Sequence, residues 1–111
     1  NDMIISGGAN IYPAEIENVF SMHPKVIDVA VFGIPNDEWG EEVKAVIELN
    51  NNQSPSDQTS SELMSFAQEN LAKMKLPRSI DFIKKLPRDE NGKLYKRRLR
   101  DPYWKNHSSK V

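Results

Sequence analysis

The sequence predicts an α+β domain: helices packed on a small, mainly three-stranded sheet, with an N-terminal hairpin ahead of it. Three observations carry this. Residues 26–34 and 43–49 are rich in β-branched side chains and read as neighbouring strands. Two stretches, one opening at Pro13 and one near Thr59, repeat apolar residues at helical spacing. The connections are short, and the order β-α-β-β-α-β-α shows no internal repeat.

Each element has its own signal. In residues 3–12, short apolar pieces flank Ser6-Gly7-Gly8, where two glycines permit the positive φ or close backbone approach of a hairpin or bulged loop. The strand reads as already under way at Asp2, as in a piece cut from a longer polypeptide. Pro13 suits the first position of a helix; Ile16, Val19 and Phe20 follow at its spacing, and Pro24 stops it. The strand over 26–34 ends at a turn, Pro35-Asn36-Asp37. Val43, Ala45, Ile47 and Leu49 alternate with Lys44 and Glu48, so a second strand pairs back on the first. After a polar loop, Thr59-Ser60-Ser61-Glu62 matches a capping box, and Leu63, Phe66, Ala67 and Leu71 give the next helix an apolar stripe. Pro77 ends that helix, residues 79–86 form a third strand, and Pro87 closes it. Asn91-Gly92 marks a turn, 94–100 a short basic helix, and 101–111 are expected to form a loosely ordered tail.

At 111 residues, 38% hydrophobic and 28% charged, the chain is one domain with a single core. It has no run of about 18 apolar residues and no basic-then-apolar leader, so neither a membrane span nor a signal peptide is expected. With no cysteine, a disulfide framework and thiolate metal sites are excluded, and a cytoplasmic protein fits. The net charge of −1 conceals an asymmetry. Residues 1–72 hold 2 basic and 12 acidic side chains, a balance of −10; residues 73–111 hold 13 basic and 4 acidic, a balance of +9. Either the basic third meets something anionic or the two parts neutralise each other in the fold.

Three places could carry chemistry. Ser6-Gly7-Gly8 could line a narrow passage for an extended ligand, or be only a turn; without a following Gly-Lys-Ser/Thr it is not a phosphate loop. Asp37-Glu38-Trp39-Gly40-Glu41-Glu42 offers paired carboxylates, which in a turn read as solvated, and a tryptophan that needs a surface or a planar ligand to pack on. Leu86-Pro87-Arg88-Asp89-Glu90-Asn91-Gly92-Lys93 ends in a lysine aimed out of a tight turn, able to stabilise developing negative charge if a second surface desolvates it. Lys93, Lys96, Arg97 and Arg100 share one helical face at i, i+3, i+4 and i+7, which alone reads equally as a solvated basic face. His23 and His107 have no second ligand nearby, so no metal site is predicted, and no Gly-x-Ser-x-Gly elbow supports a hydrolase.

Taken together and in this order, these segments resemble the C-terminal domain of acyl-CoA ligases, among the adenylate-forming, AMP-binding enzymes. Residues 2–17, from Asp2-Met3-Ile4-Ile5-Ser6-Gly7-Gly8 to Ala14-Glu15-Ile16-Glu17, look like the segment that opens that domain. Gly33-Ile34-Pro35 through Trp39-Gly40-Glu41, then Val43-Lys44-Ala45, is similar to its central hairpin. Leu86-Pro87 through Gly92-Lys93, with the basic helix ending Leu99-Arg100, resembles its closing catalytic motif. The resemblance spans residues 2–100, and three motifs in order at the right separations are specific.

It implies a two-step reaction. A carboxylic acid and ATP, with Mg²⁺, give an acyl-adenylate and pyrophosphate; the domain then rotates, and coenzyme A attacks to give the thioester and AMP. It implies that Lys93 contacts carboxylate and phosphate oxygens during adenylation, and that Ser6, Gly7 and Gly8 line the pantetheine tunnel after rotation. Lys75 and Arg78 would attract the phosphates of coenzyme A, with Trp39 near the same nucleotide or facing the large domain. Asn1 and Asp2 would form the hinge, although the family usually has Asp or Lys in the place of Asn1. Ala9 stands where some members use an arginine towards ATP. The implied partner is the large N-terminal domain of the same polypeptide, which would hold most of the Mg²⁺–ATP and the acyl pocket. The isolated piece is expected to be inactive, and its acyl substrate is not legible. Two other readings stay open: the lid of a peptide synthetase adenylation domain, and a small nucleic-acid-binding module. The wording of residues 6–13 favours coenzyme A users, and the chain lacks aromatic stacking or helix-turn-helix motifs, so no nucleic acid is expected.

Overall fold

In the computed structural model, which describes residues 2–105 and 107, a short hairpin of β1 (Ile4–Ser6) and β2 (Ala9–Ile11) leads into helix α1 (Pro13–Ser21). Two long strands follow, β3 (Val26–Asn36) and β4 (Gly40–Leu49), then helix α2 (Asp57–Asn70). A 3₁₀ turn at Lys73–Lys75, strand β5 (Ser79–Phe82) and helix α3 (Lys96–Trp104) complete the order. Among the described residues no helix is long and apolar enough to cross a membrane.

β4 is the centre of the sheet. It pairs antiparallel with β3 from Val26 beside Leu49 to Asn36 beside Gly40. Its other edge takes β5 in parallel, from Lys44 beside Ser79 to Ile47 beside Phe82. β1 meets that same edge further back, with Ser6 beside Gly40. The expected three strands are therefore β3, β4 and β5, and the hairpin joins them in one five-stranded sheet of an α+β fold.

Successive residues of a strand face opposite sides, and here both sides are covered. Val29 and Val31 pack with Ile16, Phe20, Leu63 and Ala67 beneath α1 and α2. Ala30 and Phe32 pack with Val46, Leu86, Leu94 and Leu99 beneath α3 and the segment before it. Lys44 lies on this second side, so its side chain is 7% exposed instead of solvated. A buried cation needs partners. Its Nζ lies 2.9 Å from Asp81 Oδ2 and donates to Ser79 Oγ at 2.9 Å. Tyr103 also donates to Asp81, at 2.6 Å. Burial alone would raise the Asp81 carboxyl, but the Tyr103 hydroxyl and Lys44 outweigh it and hold it below the ordinary aspartate range. Burial and the adjacent carboxylate push the Tyr103 hydroxyl up to about 12.

Element ends shift where a side chain or a tertiary contact decides them. β3 continues through Pro35 to Asn36, because its ladder with β4 persists, and the turn falls on 37–39. Asn36 Oδ1 closes that turn by accepting from the backbone N–H of Glu38 and Trp39, at 2.9 and 2.8 Å. α2 starts at Asp57 with Ser56 as its cap, Ser56 Oγ accepting from Thr59 N–H at 3.0 Å, so the capping box expected at Thr59 lies inside the first turn. That helix ends at Asn70, well before Pro77. The third strand is shorter than 79–86, since beyond Ile83 the chain leaves the sheet to bury Leu86 on the α3 side. α3 begins at Lys96 because Leu94 is bridged to Arg88 instead. It runs to Trp104, so Asp101–Trp104 are helical where a loose tail was expected. Trp104 Nε1–H donates to the Gly33 carbonyl at 2.9 Å and fastens the helix end to β3. The remainder of the expected tail at 106 and 108–111, and the hinge residue Asn1, lie outside the described residues.

Candidate functional site

The loop that presents Lys93 is built around one carboxylate. Asp89 Oδ1 accepts from the backbone N–H of Asn91 at 2.8 Å and of Lys93 at 2.9 Å. Asp89 Oδ2 accepts from the Tyr95 hydroxyl at 3.0 Å. The backbone closes the same ring: Gly92 N–H donates to Asp89 O, and Asp89 N–H to Lys93 O, at 2.9 and 3.0 Å. Gly92 sits at φ +86°, a value a side chain would strain, so the Asn-Gly pair read from the sequence is the element that turns the chain. Arg88 fastens the loop to the sheet. Its Nε and Nη2 donate to the two Asp28 oxygens at 2.6 and 3.0 Å, and Nη1 to the Gly92 carbonyl at 2.6 Å. The Asp28 carboxylate beside it raises the Arg88 guanidinium above its ordinary value. Lys93 itself is exposed; its Nζ lies 5.6 Å from the centre of the Tyr95 ring, and no described carboxylate pairs with it.

The N–H of Lys93 foremost, then the Tyr95 hydroxyl and the N–H of Asn91, hold the Asp89 carboxyl below the usual aspartate range. Its contribution to loop order is therefore complete above that range and is lost as pH falls through the lowered value. The amides of Asn91 and Lys93 are expected to be protected from hydrogen exchange at neutral pH. Protection should fade below about pH 4 and be absent at every pH in Asp89→Ala, as NMR exchange rates would show.

The other candidate residues gather at the opposite end of the sheet. Gly7 and Gly8 form the two-residue tip of the β1–β2 hairpin with φ of +58° and +84°, the pairing of positive angles that such a tight turn requires. Gly7 N–H donates to the Trp39 carbonyl at 2.9 Å, tying this tip to the β3–β4 turn. Trp39 is 41% exposed, and the Arg78 guanidinium lies 4.5 Å from the centre of its ring. Ser6, Gly7, Trp39 and Arg78 line a single open cavity of about 710 Å³, with Lys73 and Met74 completing one wall. Gly8 and Lys75 are not in the lining, and Lys75 instead pairs with Glu15 at 2.9 Å. Lys73 and Met74 gave no signal in the sequence, because the short stretch between α2 and Pro77 carries no periodicity and only the 3₁₀ turn places them.

Lys93 does not belong to that cavity. Its loop is pinned at Asp28, near the start of β3, whereas Trp39 follows the end of that strand at Asn36. Eight residues of extended chain separate the two anchors, roughly 26 Å. The charge asymmetry resolves partly inside the fold: Lys75 pairs with Glu15, Arg88 with Asp28, and Lys96 with both Asp2 and Glu17. The basic face expected across Lys93, Lys96, Arg97 and Arg100 is thereby divided, since Lys93 precedes the helix and Lys96 turns inward at 16% exposure. Among the described residues no three His, Cys, Asp or Glu side chains come together as metal ligands.

Comparison with known proteins assigns the chain to a family. Residues 15–93 match the AMP-binding enzyme C-terminal domain family. The fatty acid–[acyl-carrier-protein] ligase ScoC of Streptomyces coeruleorubidus is 42% identical over 110 residues, 99% of this chain and 21% of that protein. The long-chain-fatty-acid–CoA ligase FadD13 of Mycobacterium tuberculosis is 41% identical over 102 residues, 92% of this chain and 20% of that protein. Among solved structures, the Brucella canis acyl-CoA synthetase superposes with a TM-score of 0.89 at 30% identity, covering 97% of this chain and 20% of its own. The ATP-bound RpMatB-BxBclM chimera B1 superposes with a TM-score of 0.87 at 38% identity, covering 96% and 21%. The chain thus spans about a fifth of the length of the relatives it matches. It belongs to the AMP-binding enzyme C-terminal domain family, and the relatives it matches are acyl-CoA and acyl-carrier-protein ligases.

Proposed function

We propose that this domain is the mobile catalytic lid of an ATP-dependent acyl-CoA ligase, with two working ends used in turn. The observation that carries the proposal is the separation of Lys93 from the cavity beside Gly7 and Trp39 by most of the length of β3. One adenylate held on a large N-terminal domain cannot meet both ends at once, so the lid must turn between half-reactions. In the first, the Lys93 ammonium meets the carboxylate and phosphate oxygens on which negative charge develops, and closure of the lid excludes water around it. In the second, the hairpin tip borders the path of a pantetheine arm. A Cβ built on Gly7 would meet nothing within 4 Å, so the tip leaves open the space that a thin chain needs. Trp39, stacked by Arg78, offers a flat face and a fixed cation to the nucleotide of coenzyme A, with Lys73 adding charge. A carboxylic acid, ATP and coenzyme A are thus the substrates, and the N-terminal domain of the same polypeptide is the partner.

A second reading, delivery of the thiol by a carrier protein, is favoured by the similarity to an acyl-carrier-protein ligase. The two acceptors share the pantetheine arm and differ in the nucleotide. In the full-length enzyme, Trp39→Ala should raise KM for coenzyme A by about tenfold and leave pyrophosphate exchange unchanged, if stacking on the base contributes as aromatic stacking does elsewhere. An unchanged KM for coenzyme A, with a carrier protein accepted readily, would favour the second reading. A large fall in pyrophosphate exchange in Trp39→Ala would remove the division of labour between the two ends.

A further inference from the structure

Asn91 is the one asparagine in the sequence that is followed by glycine. Both residues are exposed, and the Asn91 side-chain amide makes no hydrogen bond among the described residues. A Cβ built on Gly92 would meet nothing within 4 Å, so no neighbour crowds the pair. Such a pair carries its own chemistry. The Gly92 nitrogen gives up its proton and attacks Asn91 Cγ; the new C–N bond forms, the Cγ–Nδ2 bond breaks, and the side-chain amide leaves as ammonia with that proton. The five-membered succinimide then takes up water. Opening at Cγ gives aspartate, and opening at the main-chain carbonyl gives isoaspartate, whose backbone runs through Cβ and Cγ.

What the fold adds is a restraint on the first step. Gly92 N–H, the future nucleophile, donates to Asp89 O at 2.9 Å. On one side of it Asn91 N–H donates to Asp89 Oδ1 at 2.8 Å, and on the other Lys93 N–H donates to the same oxygen at 2.9 Å. Arg88 Nη1 holds the Gly92 carbonyl at 2.6 Å. The ring therefore closes only when this turn opens.

We infer that Asn91 is a site of spontaneous deamidation whose rate the Asp89 clamp sets, and that its conversion to isoaspartate disables the Lys93 loop. The second half rests on the reading of Lys93 as the adenylating cation. Isoaspartate adds one methylene to the backbone two positions before Lys93, so the Asn91 and Lys93 amides no longer reach Asp89 Oδ1 together. It also replaces a neutral amide with a carboxylate beside an ammonium that has no described ion pair. Each modified molecule then loses adenylation without any change in its core.

The test ages the full-length ligase at mildly alkaline pH and body temperature, as parent, Asn91→Gln and Asp89→Ala. Conversion is followed by mass spectrometry of the peptide holding residue 91 and by labelling with an isoaspartyl methyltransferase. ATP–pyrophosphate exchange is read relative to each variant's own starting rate. The parent is expected to convert at residue 91, with isoaspartate present and exchange falling in step. Asp89→Ala should convert about tenfold faster, the factor that loss of one or two such hydrogen bonds supplies. Asn91→Gln, whose longer side chain closes its ring far more slowly, should keep its starting rate over the same period. A parent left intact at residue 91 while a free peptide of the same sequence converts would overturn the site, and equal rates in parent and Asp89→Ala would overturn the clamp. Conversion without loss of exchange, or an equal loss in Asn91→Gln, would overturn the link to Lys93. Lys93→Ala run alongside tells that failure from failure of the lid reading: full exchange in Lys93→Ala removes the lid reading, whereas abolished exchange leaves it standing and removes only the link.

Discussion

Replacing Lys93 with alanine in the full-length ligase is expected to lower adenylate formation by about a hundred- to a thousandfold, measured as ATP–pyrophosphate exchange. That is the size of effect seen when one preorganised donor is removed from a site where charge develops. Preorganisation is visible here. Asp89 orders the turn through the Lys93 and Asn91 amides, Gly92 supplies the left-handed backbone, and Arg88 pins the loop to Asp28. The ammonium itself makes no described ion pair, so it is available to a second surface without first leaving a carboxylate. Lys93→Arg should recover little, because a planar guanidinium places its charge differently from a compact ammonium. Thioester formation from preformed acyl-adenylate should fall far less, since the function proposed here assigns that step to the cavity at the other end of the sheet. Full exchange activity in Lys93→Ala would remove the catalytic assignment.

The elements most legible in the sequence were those whose signal is local. Pro13 starts α1 as its fixed φ dictates, and β-branched residues mark β3 and β4. The Asn91-Gly92 pair marks the turn before Lys93, because a positive φ leaves few other choices. What could not be read depends on residues distant in sequence. Lys44 alternates as a solvent-facing side chain should, and only the docking of α3 on the second side of the sheet buries it against Asp81. Lys96 looked like one member of a basic face until Asp2, 94 positions away, came within 2.6 Å. The cavity was half legible: Gly7 and Trp39 stood out in the sequence and Arg78 through the family resemblance, but their meeting depends on a 3₁₀ turn and on strand register. The α3 boundary was missed for a related reason. Trp104 and Tyr103 extend the helix through contacts with Gly33 and Asp81 that carry no local pattern.

Phe32→Ala is expected to cost about 3–5 kcal/mol of folding stability, the usual penalty for removing a buried phenylalanine, read as a lowered urea midpoint. Phe32 is 1% exposed and fills the second side of the sheet together with Ala30, Val46 and Leu86. Against a total of about 5–15 kcal/mol for a domain this size, the loss is severe but leaves room for a folded population at low temperature. Its position makes the consequence specific. Leu86 and Leu94 pack on the same cluster and bracket the loop that ends in Lys93, and Leu99 seats the helix that follows. A cavity there loosens the platform under Lys93, so pyrophosphate exchange should fall even where the protein remains folded. Phe20→Ala supplies the contrast. Phe20 is 0% exposed and lies in the cluster beneath α1 and α2, on the opposite side of the sheet. It should lower the urea midpoint by a similar amount while leaving exchange, at a temperature where both variants are folded, closer to the parent. Equal losses of exchange in the two variants would mean that the Lys93 loop answers to global stability alone and that the second side of the sheet has no particular hold on it.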